Sequence, residues 1–158
     1  MIPQKRPISE AALIADQLRR AFDGDAWHGP ALLELLADID AATAAAHPIP
    51  DAHSIWELVL HVAVWDHVAS VRLTGQKYQP TGNANFPPVT KPTTAEWRKA
   101  IAATKRTHET LIKTVAALPE ARLLDRVPGK RYNFRHMLHG IAQHELYHAG
   151  QIALLKKL

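Results

Sequence analysis

No cysteine occurs anywhere in the 158 residues. Its absence excludes thiolate zinc sites, cysteine nucleophiles and disulfide staples, so any metal must be held by nitrogen and oxygen ligands. Staples are not needed, because a single domain of about 150 residues buries roughly 70% of its unfolded surface. Long apolar runs are missing too: nothing approaches the roughly 18 consecutive apolar residues of a membrane span. Met1-Ile2-Pro3-Gln4-Lys5-Arg6 leads into an amphipathic pattern rather than the apolar stretch of a secretion signal. The expectation is a soluble, cytoplasmic, single-domain protein with no membrane partner. Alternating strand patterns and repeats of fixed period are also lacking, which leaves helices.

Acidic residues become scarce in the second half. The net charge is +4, yet residues 1–70 carry 4 Lys/Arg against 10 Asp/Glu, and residues 71–158 carry 15 against 5. The basic residues are spaced along helical faces without interleaved stacking aromatics, so nucleic acid is not the expected partner. Arg122, Arg126, Lys130, Arg131 and Arg135 form one denser stretch. It leads into the last helix, which makes Arg126, Arg131 and Arg135 candidates to bind an anionic cosubstrate at a pocket mouth.

Ser9 is placed to cap a first long helix running to about Asp23, with Leu13, Ile14, Leu18 and Phe22 on one side and Gly24 as its stop. Gly29-Pro30 opens a short apolar helix through Leu36, and an Ala-rich turn from Asp40 to Ala46 ends at His47-Pro48. From His53 to about Thr74 the chain is apolar almost all round. This second long helix should be central or should face another subunit, and a homodimer is expected on that ground. Residues 75–92 are rich in breakers and form a candidate lid. Thr93-Thr94-Ala95-Glu96 reads as a capping box for a third long helix with Trp97, Ile101, Thr104, His108, Leu111, Val115 and Leu118 in one stripe. Asn133 caps a fourth, whose stripe is Phe134, Met137, Ile141, His144, His148, Gln151 and Leu155. The predicted fold is all-α: an antiparallel four-helix bundle with short connecting helices between the first and second long helices.

The chemistry concentrates in His144-Glu145-Leu146-Tyr147-His148, which puts two imidazoles one turn apart in an apolar seam. The string also spells the H-E-x-x-H of zinc proteases. A metzincin would need Gly at 151 and His at 154, where this chain has Gln151 and Leu154, and only ten residues follow His148. A di-iron bundle would need a second E-x-x-H helix, and there is none. A third ligand must therefore come from upstream. His61, in a seam with Leu58, Trp65 and Val68, leads; His108 in the third helix is the rival, and His53 and His67 trail.

Ser54-Ile55-Trp56-Glu57-Leu58-Val59 with His61, Tyr132-Asn133-Phe134 leading to Met137-Leu138-His139-Gly140, and His144-Glu145-Leu146-Tyr147-His148-Ala149-Gly150-Gln151-Ile152 together resemble the DinB-like (DinB/YfiT) superfamily of metal-binding four-helix bundles. The resemblance runs from about Ser9 to the end. It implies a three-His site, which maps onto His61, His144 and His148 and selects His61 over His108. It also implies that the residue after the first His of the pair varies, so Glu145 need not be a base. On a helix Glu145 points about 100° from His144, towards the flank of the seam, as a helix-surface group or one supporting a ligand. Glu57 and Gln151 are candidates to orient ligands or bound water. Tyr147 is read as packing.

Three neutral imidazoles leave a divalent metal an open position, and an all-nitrogen set suits zinc or nickel. Such a metal can turn bound water into a hydroxide nucleophile for hydrolysis, or hold a thiol as thiolate. The resemblance implies both, since that superfamily includes low-molecular-weight-thiol S-transferases, related isomerases and proteins described as metal-dependent hydrolases. The preferred expectation is thiol transfer to a small-molecule substrate, with the thiol arriving as a cosubstrate because the chain has none. The alternatives are a hydrolase using metal-bound hydroxide, or a metal-binding bundle without turnover.

Overall fold

A computed structural model describes residues 8–158; Met1–Arg6, which bear on a secretion signal, lie outside the described residues. Six α-helices and no strand occur among the described residues: α1 (Glu10–Asp23), α2 (Leu32–Leu36), α3 (Ala41–Ala45), α4 (Ile55–Leu73), α5 (Thr94–Ala116) and α6 (Phe134–Leu155). Among the described residues no helix is long and apolar enough to cross a membrane.

Each long helix starts where a side chain can take up an orphan backbone N–H. Ser9 Oγ accepts from Ala12 N (3.1 Å), and Asn133 Oδ1 accepts from His136 N (2.9 Å). The Thr93 capping box is only half made, with Thr93 Oγ1 accepting from Glu96 N. A complete box stands instead at α4, where Ser54 Oγ accepts from Glu57 N and Glu57 Oε2 accepts from Ser54 N. Ahead of α6, an antiparallel bridge between Arg126 and Asn133 closes the turn and sets the direction in which α6 leaves.

The long helices pack α4 on α5, α5 on α1, α1 on α6 and α6 on α4. Ile14, Leu18 and Phe22 of α1 are buried as expected from their spacing, whereas Leu13 is 55% exposed, on the flank of that stripe. Much of the apolar girth of α4 is covered within the chain, while Leu60, Ala63, Val64 and Val71 stay half-buried. Beyond α5 and α6 it meets α3, and Phe86 and Val89 of the 75–92 segment pack against the same core cluster.

The core is interrupted. One apolar cluster takes α4 up to Val62 and α6 from Ala149 onward; the other takes α4 from Ala69 and α6 up to Ala142. In the gap between them lie Asp66, His108, Glu145 and His148, all buried, with His61 at its edge. Each fully buried Leu or Ile in the flanking clusters stabilises by roughly 1.5–3 kcal/mol. A buried polar group without a partner costs a comparable amount, so the gap must be explained by pairing or by a ligand.

Candidate metal centre

His61 of α4 and His144 and His148 of α6 meet at their Nε2 atoms. His144 Nε2 is 3.0 Å from His61 Nε2 and 3.0 Å from His148 Nε2. The outer nitrogens decide what these contacts are. His61 Nδ1–H donates to the Asn85 carbonyl (2.7 Å) and His148 Nδ1–H donates to Gln151 Oε1 (2.6 Å), and both acceptors are oxygens that cannot donate. In their neutral forms both rings therefore carry bare lone pairs on the inner nitrogen. At most one proton, on His144 Nε2, is left to serve three converging nitrogens. Burial, foremost, holds the rings in that neutral state: His61 is lowered to about 4, His144 to about 3, and His148 is lowered as well. Neutral imidazoles with inner nitrogens converging fit a divalent cation; the outer nitrogens of His61 and His148 are tied to oxygens, whereas His144 Nδ1 is buried without a partner.

Asn85 and Phe86 reach the site through a short 3-10 turn, Gly82–Ala84, whose first residue sits at φ +52°, a conformation that glycine adopts without strain. Phe86 stacks on the His61 ring at 3.8 Å and 3°, and His53 stacks on Phe86 at 3.8 Å and 4°. His53 is thus the outer slice of a three-ring stack. The segment expected as a lid supplies an acceptor and a wall.

The three imidazoles open onto a cavity of about 570 Å³. Its sides are Trp65, Val68, Ala69, Met137 and Ile141, with Arg72 and Tyr132 also lining it. No carboxylate is among its lining residues. A family model described as the DinB superfamily matches residues 25–152, which include the cavity and all three imidazoles. The chain belongs to the DinB superfamily. Searches of curated proteins and of solved structures found no match.

Glu145 corrects the sequence reading. It is fully buried, not at the flank or the surface, because a 100° turn from the cavity-facing seam of this DinB-superfamily α6 leads into the bundle. There it meets the rival ligand His108, whose Nδ1 is 2.9 Å from Asp66 Oδ2 and 3.1 Å from Glu145 Oε1. His108 is 1% exposed and stacks on Phe22 of α1 at 4.0 Å. Burial alone would lower the imidazole; the Asp66 and Glu145 carboxylates outweigh it and hold the ring at about 10. Burial and the neighbouring Asp66 charge push Glu145 well above the usual carboxylate range, against the pull of His108. An imidazole set between two acidic side chains is how three ionisable groups can share the interior, and Asp66 Oδ1, His108 Nε2 and both Glu145 oxygens are left there without hydrogen-bond partners. His108 is thereby taken out of contention for the cavity.

The other candidates divide. Gln151 holds His148, as a ligand-orienting group would. Glu57 caps α4 and accepts at 3.1 Å from His47 Nε2; it does not line the cavity. Tyr147 is 65% exposed at the cavity rim rather than packed. His67 is exposed, edge-on to Tyr78. Arg126, Arg131 and Arg135 are exposed and do not line the cavity; Arg135 pairs with Glu10, and Arg122 pairs with Asp125 at 2.7 Å. Periodicity could not show this, because Arg126 and Arg131 lie in the turn closed by the Arg126–Asn133 bridge, outside any helix, and Arg135 lies in the first turn of α6. The arginine that does line the cavity is Arg72. It continues the seam His61, Trp65, Val68 by one turn, and that extension was the available signal.

Proposed function

We propose that the four long helices form the antiparallel bundle expected from the sequence, and that this DinB-superfamily chain is a metal-dependent transferase of low-molecular-weight thiols. The observation that carries the reading is the convergence of the His61, His144 and His148 Nε2 lone pairs at 3.0 Å, beside a cavity large enough for a small molecule. Zinc or nickel suits the all-nitrogen set. When bound, such a metal supplies a Lewis acid that lowers the pKa of a thiol into the physiological range.

The chain's own residues do the rest. Asn85 and Gln151 hold two imidazoles in the tautomer that presents Nε2. Phe86 and Trp65 flank His61 and keep water from its faces. The cavity offers no carboxylate to serve an activated water, although His136 and Tyr132 line it as groups able to move a proton; thiol transfer is preferred because a thiolate needs no general base once formed. Glu145, the base suggested by H-E-x-x-H, is engaged with Asp66 and His108 instead.

The test is an activity panel on metal-reconstituted protein with glutathione, bacillithiol or mycothiol and a set of soft electrophiles, beside plain ester and amide hydrolysis. Thiol-dependent, metal-dependent conjugate formation is expected. Hydrolysis that proceeds without thiol would move the assignment to a hydrolase, and silence throughout, with stoichiometric metal bound, to a binding protein.

A further inference from the structure

We infer that the metal-bearing cavity has a carboxylate anchor at Arg72, so that its ligand carries a carboxylate at one end and a metal-seeking group at the other. The inference rests on the proposed reading for the metal end only. Arg72 is 2% exposed, and among the described residues no Asp or Glu forms an ion pair with it. A buried guanidinium normally has an anion beside it, because neutral acceptors recover only part of the cost of desolvating the charge. Here every acceptor is neutral. Nε–H and one Nη2–H donate to the Tyr78 carbonyl (3.1 and 2.9 Å), the other Nη2–H to Gln79 Oε1 (2.9 Å), and one Nη1–H to the Tyr132 hydroxyl oxygen (3.3 Å).

Lys130 deepens the imbalance. Its Nζ donates to the same Gln79 Oε1 at 2.8 Å, so two cations share one neutral amide oxygen. What is left over matches a carboxylate. A guanidinium has five N–H groups, of which one on Nη1 is unused, and the Tyr132 hydroxyl accepts from Arg72 while its own proton stays available. Two donors beside a buried positive charge suit the two oxygens of a carboxylate better than the three of a phosphate.

The geometry ties this corner to the imidazoles. The Arg72 guanidinium lies 5.6 Å from the centre of the Trp65 ring, and the His144 ring lies 5.8 Å from it. The two ends of the ligand therefore border the same Trp65 indole, with Val68, Met137 and Ile141 as apolar lining.

The test uses the full chain and three probes: hexanoate, hexan-1-ol and 6-mercaptohexanoate, with affinities from titration calorimetry. On chelator-treated protein, hexanoate should bind at least about tenfold more tightly than hexan-1-ol, the range of one charge-assisted hydrogen-bonded pair. Arg72→Gln should abolish that preference and Arg72→Lys should keep part of it. Tyr132→Phe, which spares the buried cation, should weaken hexanoate by about threefold or more and leave hexan-1-ol unchanged. On metal-reconstituted protein, 6-mercaptohexanoate should exceed hexanoate by at least about tenfold. A residue that only ties the 75–92 segment to α4 would leave the acid-over-alcohol ratio unmoved. Equal binding of acid and alcohol by wild type overturns the anchor, as does an unchanged ratio in both Arg72→Gln and Tyr132→Phe. Loss of the thiol advantage alone overturns the metal reading and leaves the anchor standing.

Discussion

The three-imidazole cluster and the Asp66–His108–Glu145 cluster both draw on α4 and α6, the second with His108 of α5 as well, and His144 and Glu145 are adjacent in the chain. Burial does opposite things to them. At the cavity it strips protons, leaving lone pairs that face one another with nothing of the protein's own to bind. In the interior the His108 imidazole keeps its proton, because the Asp66 and Glu145 side chains stand beside it. Three like bases need a cation from outside; a base between acids does not. The atoms of either group lie close enough together to hold an ion. The first opens onto a cavity of about 570 Å³, whereas of the second His108 borders a pocket of about 240 Å³.

The largest effect expected from this contrast is on metal content. Wild type purified without chelator should carry about one divalent ion per chain, and His61→Ala, His144→Ala or His148→Ala should carry only traces by mass spectrometry. Full retention by His61→Ala would dismantle the three-imidazole assignment, and a second equivalent lost in Asp66→Asn would erase the distinction between the clusters. Next comes stability. His108→Gln leaves Asp66 and Glu145 in the interior without the imidazole between them and should cost about 3–5 kcal/mol in denaturant unfolding, as losing one partner of a buried ion pair does. His144→Ala in metal-free protein should cost under about 1 kcal/mol, because at most one Nε2–H serves its two 3.0 Å contacts. Equal losses would show that the two clusters do the same job.

The pH dependence of metal-free protein should separate them in sign. His61 and His144 titrate at about 4 and about 3 in the folded chain against 6.5 unfolded, so stability should fall as pH drops below 6.5. His108 is raised to about 10, so its contribution is complete below 6.5 and lost as pH rises towards 10. Thermal unfolding across that range should show both declines, the acid one reduced in His144→Ala and the alkaline one in His108→Gln. A single monotonic trend would contradict the opposed assignments.

Smaller effects belong to the supporting groups. Gln151→Leu should weaken metal binding about 10- to 100-fold in chelator competition by freeing the His148 ring. Glu57→Gln should cost no more than about 1 kcal/mol through the α4 cap and leave the metal in place. Metal loss in Glu57→Gln would return that residue to the site.

Much of this was legible beforehand because it is local. Ser9 and Asn133 as caps, the buried stripe of α6, and the i,i+4 pair His144 and His148 all follow from rules acting within about one helical turn. Gln151 was within that reach too. Asn85 and Phe86 were not: they lie in a segment without periodicity, and only its path back across α4 brings them to His61. Arg72 was half visible, on an extended seam but indistinguishable from a helix-end cation until its lack of a carboxylate partner could be seen.

The sequence alone determined that this chain is helical, that a metal site must be built from nitrogen and oxygen, and that two imidazoles share a face, because composition and 3.6-residue periodicity act on neighbours. Only the tertiary structure decided what surrounds each polar side chain. Whether a buried imidazole finds two carboxylates or two more imidazoles depends on residues from other helices, and that decides whether it keeps its proton or presents a lone pair. The same rotation of α6 that points His144 at the cavity carries Glu145 to Asp66 and His108, which is why adjacent residues ended in opposite chemistry.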